Sequence, residues 1–198
     1  HKFYPVVHAT KNSDMNHFNV ETAKNYGADG VFLINHGKLY SNEFENFIRE
    51  SIECYQDKTF QIGVNFLNKT TEQAISYCIF SKISMLWIDN AGFDSGDGTH
   101  RLCSFYSRIN ETSINVFGGV HFKYQPTPVQ DISTSVDQAL TWIKTVTLSG
   151  PGTGMEADLK FIQKAVGHNE PHRFALASGV SEENVRSYKP YIGNFLVA

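Results

Sequence analysis

Short runs of β-branched and aromatic residues recur along the chain. Each is followed by a polar loop and then by a stretch in which apolar residues return every three or four positions. The runs predict strands at Tyr4–Ala9, Gly30–Asn35, Phe60–Leu67, Ser84–Asn90, Asn115–Phe122, Thr145–Leu148, Arg173–Ala177 and Asn194–Ala198. The stretches between them predict helices at Phe18–Tyr26, Asn42–Tyr55, Thr71–Ser81, His100–Asn110, Ser133–Ile143, Glu156–Val166 and Glu182–Tyr188. Punctuation marks several of the boundaries. Gly27 follows the first helix as a C-cap, and Asn42 stands three residues before Glu45 in capping-box spacing. Ser181 precedes the last helix, and Pro190 closes it.

Eight strands alternating with helices define an α/β architecture with a parallel sheet. A doubly wound open sheet usually has fewer strands and a glycine fingerprint after the first, and no such fingerprint follows Ala9. Polar residues gathered just past the strands favour a closed (β/α)8 TIM barrel, with residues 1–198 forming a single domain. No eighth helix can be drawn beyond Asn194–Ala198. The expectation is a barrel with its eighth helix missing, truncated or replaced by another chain.

Composition narrows the function classes without choosing among them. With 198 residues, the chain is long enough to bury a substantial core. A formal charge of −3 and a pI near 6.2 supply no long-range attraction for nucleic acid or an acidic membrane surface. No apolar run approaches the roughly 18 residues that a membrane-spanning helix needs. The opening HKFYPVVHAT lacks the layout of a secretory signal, so a cytoplasmic location is expected. Cys54, Cys78 and Cys103 show no CxxC spacing and fall in helical segments, which reads as buried free thiols in a reducing compartment. The triplets beginning at Asn68 and Asn110 have the glycosylation pattern, and here they are read as chance matches.

In such a barrel the chemistry collects where the strands end. The residues there are His8, Asn35 and His36, Asn65, Asp89 and Asn90, His121 and Lys123, Ser149 to Gly154, then Ser178 and Gly179. Polar residues also simply begin loops, which accounts for part of this list. In GGVHFKY, His121 and Lys123 stand two apart, so on a strand both face the same way. With Val120 and Phe122 packed outward, that way is the barrel interior. A lysine there needs an anion to offset its desolvation: a bound phosphate, Asp89 or a substrate carbonyl. Asp89, after SMLWI, is the candidate general acid or base, or else an anchor for the lysine. His8 can donate a hydrogen bond or transfer a proton, or serve only structurally.

The loop Ser149-Gly150-Pro151-Gly152-Thr153-Gly154 is expected to open directly into a helix, presenting backbone N–H groups and a helix dipole to an anion. A second turn, Ser178-Gly179-Val180-Ser181, leads into the next helix. Together the two resemble a phosphate cup. No HxH or HExxH arrangement occurs. Asp94 and Asp97 in FDSGDG lack the spacing of a calcium loop, so neither metal nor cofactor is expected, and FDSGDG reads as a mobile loop over the mouth.

PVVHA, GADGVFLINHG, IGVNFLNKTTEQAI, GGVHFKYQP, LSGPGTGMEADL and ASGVSEENVRSYKPYIGNFLVA follow one another in an order similar to that of the BtpA family, within the ribulose-phosphate-binding barrels. The resemblance implies a (β/α)8 fold and a phosphate-ligand site, and no particular reaction. It places His8, Asn35, Asn65, His121, Lys123, Gly150, Thr153, Gly154, Ser178 and Gly179 on the family's motifs. Strand four departs from the pattern, with WIDNAG where an Arg-Val-Asn type of ending is usual.

Two functions are expected from these residues. The first is an enzyme acting on a phosphorylated sugar or nucleotide-like metabolite by isomerase, lyase or glycosyl-transfer chemistry. In it Lys123 balances charge, Asp89 or His121 moves a proton, and Gly150, Gly152, Thr153, Gly154, Ser178 and Gly179 hold phosphate with Asn35 and Asn65. The second is a non-catalytic assembly or regulatory barrel, which predicts a homo-oligomer or a complex in solution.

Overall fold

The computed structural model describes residues 1–95 and 99–198, the side chains of 99–101 excepted. Eight parallel strands close into a barrel in sequence order: β1 (Lys2–His8), β2 (Gly30–Ile34), β3 (Gln61–Asn65), β4 (Met85–Ile88), β5 (Asn115–Gly119), β6 (Thr145–Ser149), β7 (Phe174–Ala177) and β8 (Asn194–Val197). The barrel shuts where Lys2 to Pro5 pair with Asn194 to Val197. Among the described residues seven α-helices alternate with the strands: α1 (Ser13–Asn25), α2 (Ser41–Tyr55), α3 (Thr71–Ile79), α4 (Thr99–Asn110), α5 (Ile132–Trp142), α6 (Leu159–Val166) and α7 (Val185–Tyr188). None of the described helices is long and apolar enough to cross a membrane.

Alternation along each strand divides the core in two. Val31, Leu33, Ile62, Val64, Leu86, Val146, Leu148 and Leu176 point outward and merge with the apolar faces of the helices. Tyr4, Phe32, Met85, Trp87, Phe117, Ala175, Ala177 and Leu196 point inward and fill the barrel. The inner rings meet edge to face, with Phe32 lying 5.0 Å from Phe117, 5.7 Å from Tyr4 and 5.8 Å from Trp87 between centroids. Gly63 makes this arrangement possible, because a Cβ there would fall 2.5 Å from the Phe32 ring.

Several element ends depart from the sequence pattern for local reasons. Helix α1 starts at Ser13 rather than Phe18, because the Asn12 side chain accepts the Met15 N–H at 3.0 Å. Helix α2 begins one residue earlier than Asn42, and Glu43 rather than Glu45 reaches back to accept the Tyr40 N–H at 2.8 Å. Helix α6 begins at Leu159 rather than Glu156, since Asp158 accepts from Lys160 N–H and fixes the start there. Helix α7 keeps only its last turn, Val185–Tyr188, and Ser181 N–H donates to Asn184 Oδ1 before it. Of the three cysteines only Cys78 is fully buried, its thiol pushed up to about 12 by burial. Cys54, in the last turn of α2, is exposed.

Candidate functional site

A cavity of about 660 Å³ opens at the C-terminal ends of the strands. His8 and His36 stand on one side of it, with Asn65, Asp89 and Lys123 across the floor, and Thr153, Gly154, Ser178 and Gly179 on the other side. Val6, Ile34, Trp87, Phe122 and Leu196 supply an apolar base. Nine strand-end residues that sequence reasoning singled out therefore share one hollow. A larger hollow, about 870 Å³, lies at the opposite end of the barrel among His1, Lys2, Lys144 and Arg173, and contains none of them. The mouth is the candidate because opposed acid and base groups converge there, at the end of the barrel where βα loops build sites.

Asp89 follows β4, and Trp87 and Met85 precede it at alternate positions, so all three face inward. Its Oδ1 accepts a hydrogen bond from Asn65 Nδ2 at 2.9 Å, and Asn65 is itself buried at the end of β3. Burial raises the Asp89 carboxyl above its ordinary range. The Asn65 hydrogen bond and the charges of Lys123 and His36 partly oppose that rise. Burial lowers Lys123, against the pull of Tyr124 and Asp89. The His8 and His36 rings stack with centroids 5.0 Å apart, and His8 is lowered by burial and by His36.

His121 does not enter the cavity. Strand β5 stops at Gly119, where a Cβ would lie 2.0 Å from the Asp89 carbonyl oxygen, and the chain then turns through His121 with φ of +47°. Alternation ends at that turn. Phe122, expected to pack outward, fills the barrel top against Trp87, with ring centroids 6.0 Å apart. The His121 ring goes the other way, with Nε2 3.3 Å from the Ser135 hydroxyl of α5 and 3.9 Å from Asp94 Oδ1. The His121 N–H donates to the same Asp94 carboxylate. Aspartate, histidine and serine meet here, but Nε2 faces both partners, so this is a clasp between loops rather than a proton relay. Asp97, in the FDSGDG segment read as a loop over the mouth, lies outside the described residues along with Gly96 and Gly98.

Asn35 also stays out of the cavity lining. Its side chain donates to Leu39 O and accepts from the N–H groups of Lys38 and Leu39, shaping the turn after β2. Gly150 and Gly152 lie behind the cavity wall. A Cβ on Gly150 would meet the Met155 carbonyl oxygen at 2.1 Å, so its lack of a side chain serves a close backbone approach.

The two glycine turns are joined to each other, since Gly154 N–H donates to Ser178 Oγ at 2.7 Å. Thr153 N–H donates to the Tyr124 hydroxyl at 2.9 Å, and Met155 N–H to Gly152 O. In the strand-six loop the N–H groups of Thr153, Gly154 and Met155 are thus taken, and the loop does not open onto a helix N-terminus. In the second turn, Gly179 and Val180 line the cavity, and their N–H groups have no partner among the described residues. Gly179 has φ of +70°, and a Cβ on it would lie 2.0 Å from Met155 O, so only glycine fits.

Trp87, Tyr124, Glu156 and Asn184 line the cavity without having been singled out from sequence. Trp87 was within reach of period-two counting back from Asp89; the others sit on irregular backbone with no periodic signal. Among the described residues, no three metal-ligating side chains converge.

A closed (β/α)8 barrel with an acid–amine pair and free backbone donors at its C-terminal mouth defines the class of protein. No protein-family model matches the sequence, and no curated protein matches it either. Solved structures share its fold. The YdjI aldolase of Escherichia coli K12 superposes with a TM-score of 0.66 at 10% identity, over 100% of this chain and 75% of its own. The N-acetylmannosamine-6-phosphate 2-epimerase of Clostridium perfringens gives 0.65 at 11% identity, over 99% and 85%. Dihydropteroate synthase of Burkholderia cenocepacia, complexed with 7,8-dihydropteroate, gives 0.66 at 9% identity, over 99% and 85%. At these identities the likeness is one of fold.

Proposed function

We propose that residues 1–198 act as one barrel domain, an enzyme for a phosphorylated sugar or nucleotide-like metabolite, by isomerase, lyase or glycosyl-transfer chemistry. One observation carries the reading. Gly179 and Val180, whose N–H groups have no partner among the described residues, line the same cavity as Lys123 and Asp89, so an anion docked on the turn would sit beside a lysine and a carboxyl group. Thr153 and Ser178 add hydroxyl groups, and Asn65 holds Asp89. Gly154 and Gly179 shape the wall, while Gly150 and Gly152 support it from behind. His8 remains a candidate proton carrier with His36, and His121 passes from that role to holding the loop that bears Lys123. The order of motifs supports placing the chain with BtpA-type barrels. That one neighbour in fold is an epimerase of a sugar phosphate also supports the substrate class. The thiols of Cys54 and Cys78 support a cytoplasmic setting.

Thermal-shift measurements against inorganic phosphate, sugar phosphates and nucleotides test the reading. A phosphorylated ligand is expected to raise the Tm of the wild type and to leave Thr153→Trp, which fills the mouth from an exposed loop, unmoved. A folded wild type that responds to none of them overturns it.

A second reading, a non-catalytic barrel that binds a protein partner, draws on the groove outside β1 and β8. That groove is lined by Phe3, Pro5, Val7, Tyr26 and Val197, with Phe3 46% and Tyr26 89% exposed. It predicts a homo-oligomer or complex by light scattering, and a monomer at micromolar concentration counts against it.

A further inference from the structure

The cavity is lined by one lysine, and no side chain among the described residues hydrogen-bonds its amine. Lys123 is tethered through its backbone, whose N–H donates to Ser149 Oγ at 3.0 Å, while among the described residues Nζ has no hydrogen-bond or ion-pair partner. Other lysines of the chain are differently placed: Lys24 and Lys69 pair with Asp57 and Glu45, and Lys164 with Asp131. Lys123 Nζ instead lies 5.6 Å from the centre of the Phe122 ring, above the apolar base of the cavity. The charges that act on it are those of Asp89 and Tyr124.

An amine partly withdrawn from water gives up its proton more readily than an exposed one, and the free amine is a nucleophile toward carbonyl carbon. Burial moves Lys123 down and Asp89 up, each against the attraction of the other. The indole Nε1 of Trp87, in the same wall, is buried and has no acceptor among the described residues.

We infer that Lys123 captures an aldehyde or ketone as an imine, with Asp89 supplying the proton that expels water. The inference rests on the phosphate reading above and deepens it, because the substrate then carries a reactive carbonyl as well as a phosphate. The amine lone pair forms a C–N bond to the carbonyl carbon, and the C=O π pair moves to oxygen. One proton passes from nitrogen to that oxygen. The Asp89 carboxyl group then protonates the resulting hydroxyl, which leaves as water while the nitrogen pair closes the C=N bond. Amine, carbonyl and acid become iminium cation, water and carboxylate, with no oxidant or reductant. The new cation forms beside the new anion.

Reductive trapping tests this. The intact chain is incubated with dihydroxyacetone phosphate and sodium cyanoborohydride, and peptide mass mapping locates the secondary amine. Lys123 is expected to be labelled about tenfold faster than any other lysine. Lys123→Arg abolishes that label while keeping the wild-type melting curve, and Asp89→Asn slows labelling about tenfold. Labelling spread over the lysines in proportion to exposure overturns the inference. An unchanged rate in Asp89→Asn overturns the part given to Asp89. Thermal shift by inorganic phosphate separates the two readings. A shift without selective label refutes the imine and leaves phosphate binding standing; a selective label without a shift does the reverse.

Discussion

At the scale of single residues, the mouth of the barrel is shaped by where a side chain is absent as much as by where one is present. Gly119 ends β5 with no room for a Cβ beside the Asp89 carbonyl oxygen. Gly119→Ala is therefore expected to cost about 1–3 kcal/mol in chemical denaturation and to displace the β4 end that carries Asp89. His8 makes a prediction in pH. Its folded-state pKa is depressed, so the neutral ring is favoured in the fold, and the stability this brings is present above the unfolded value of 6.5 and is lost as pH falls through the folded one. The Tm difference between the wild type and His8→Gln should shift against the wild type below pH 6.5. The carboxylate, the lysine and the histidines of the mouth were legible because each follows an apolar run. The free donors of Gly179 and Val180 were not separable from the occupied ones of the strand-six loop. Which N–H is spent depends on Ser178 and Tyr124, residues distant in sequence.

At the scale of elements, strand order and barrel closure were readable from periodicity, and the ends of elements were not. Strand β5 shows why. The run Asn115–Phe122 is apolar enough to be one strand, but tertiary crowding at Gly119 stops it early and reverses the sense of His121 and Phe122. His121 then serves as one half of a clasp whose other half, Asp94, comes from the loop after β4. Burial raises the Asp94 carboxyl, and the His121 N–H and ring partly offset this. Asp94→Ala would leave the His121 N–H without that acceptor, at a cost of about 1–3 kcal/mol. Amide hydrogen exchange at His121 should accelerate, while exchange at the centres of β2 and β3 should follow only the global loss. Equal acceleration throughout would mean that the contact supports the whole barrel rather than one loop.

At the scale of the molecule, the two faces of the sheet do separate work, the outer one binding helices and the inner one packing rings. Phe32 belongs wholly to the inner packing, fully buried and in edge contact with Tyr4, Trp87 and Phe117. Phe32→Ala is expected to lower stability by about 3–5 kcal/mol in urea denaturation, the cost of a cavity that its neighbours cannot close. The same rings act as a stopper. The hollow at the mouth and the one at the opposite end are partitioned by a dry septum, so the barrel is a cup and not a pipe. Whatever enters at the mouth must depart by the same doorway, and reactant and product queue for a single exit. The far end is insulated from that traffic, free to change in sequence without altering what the mouth admits.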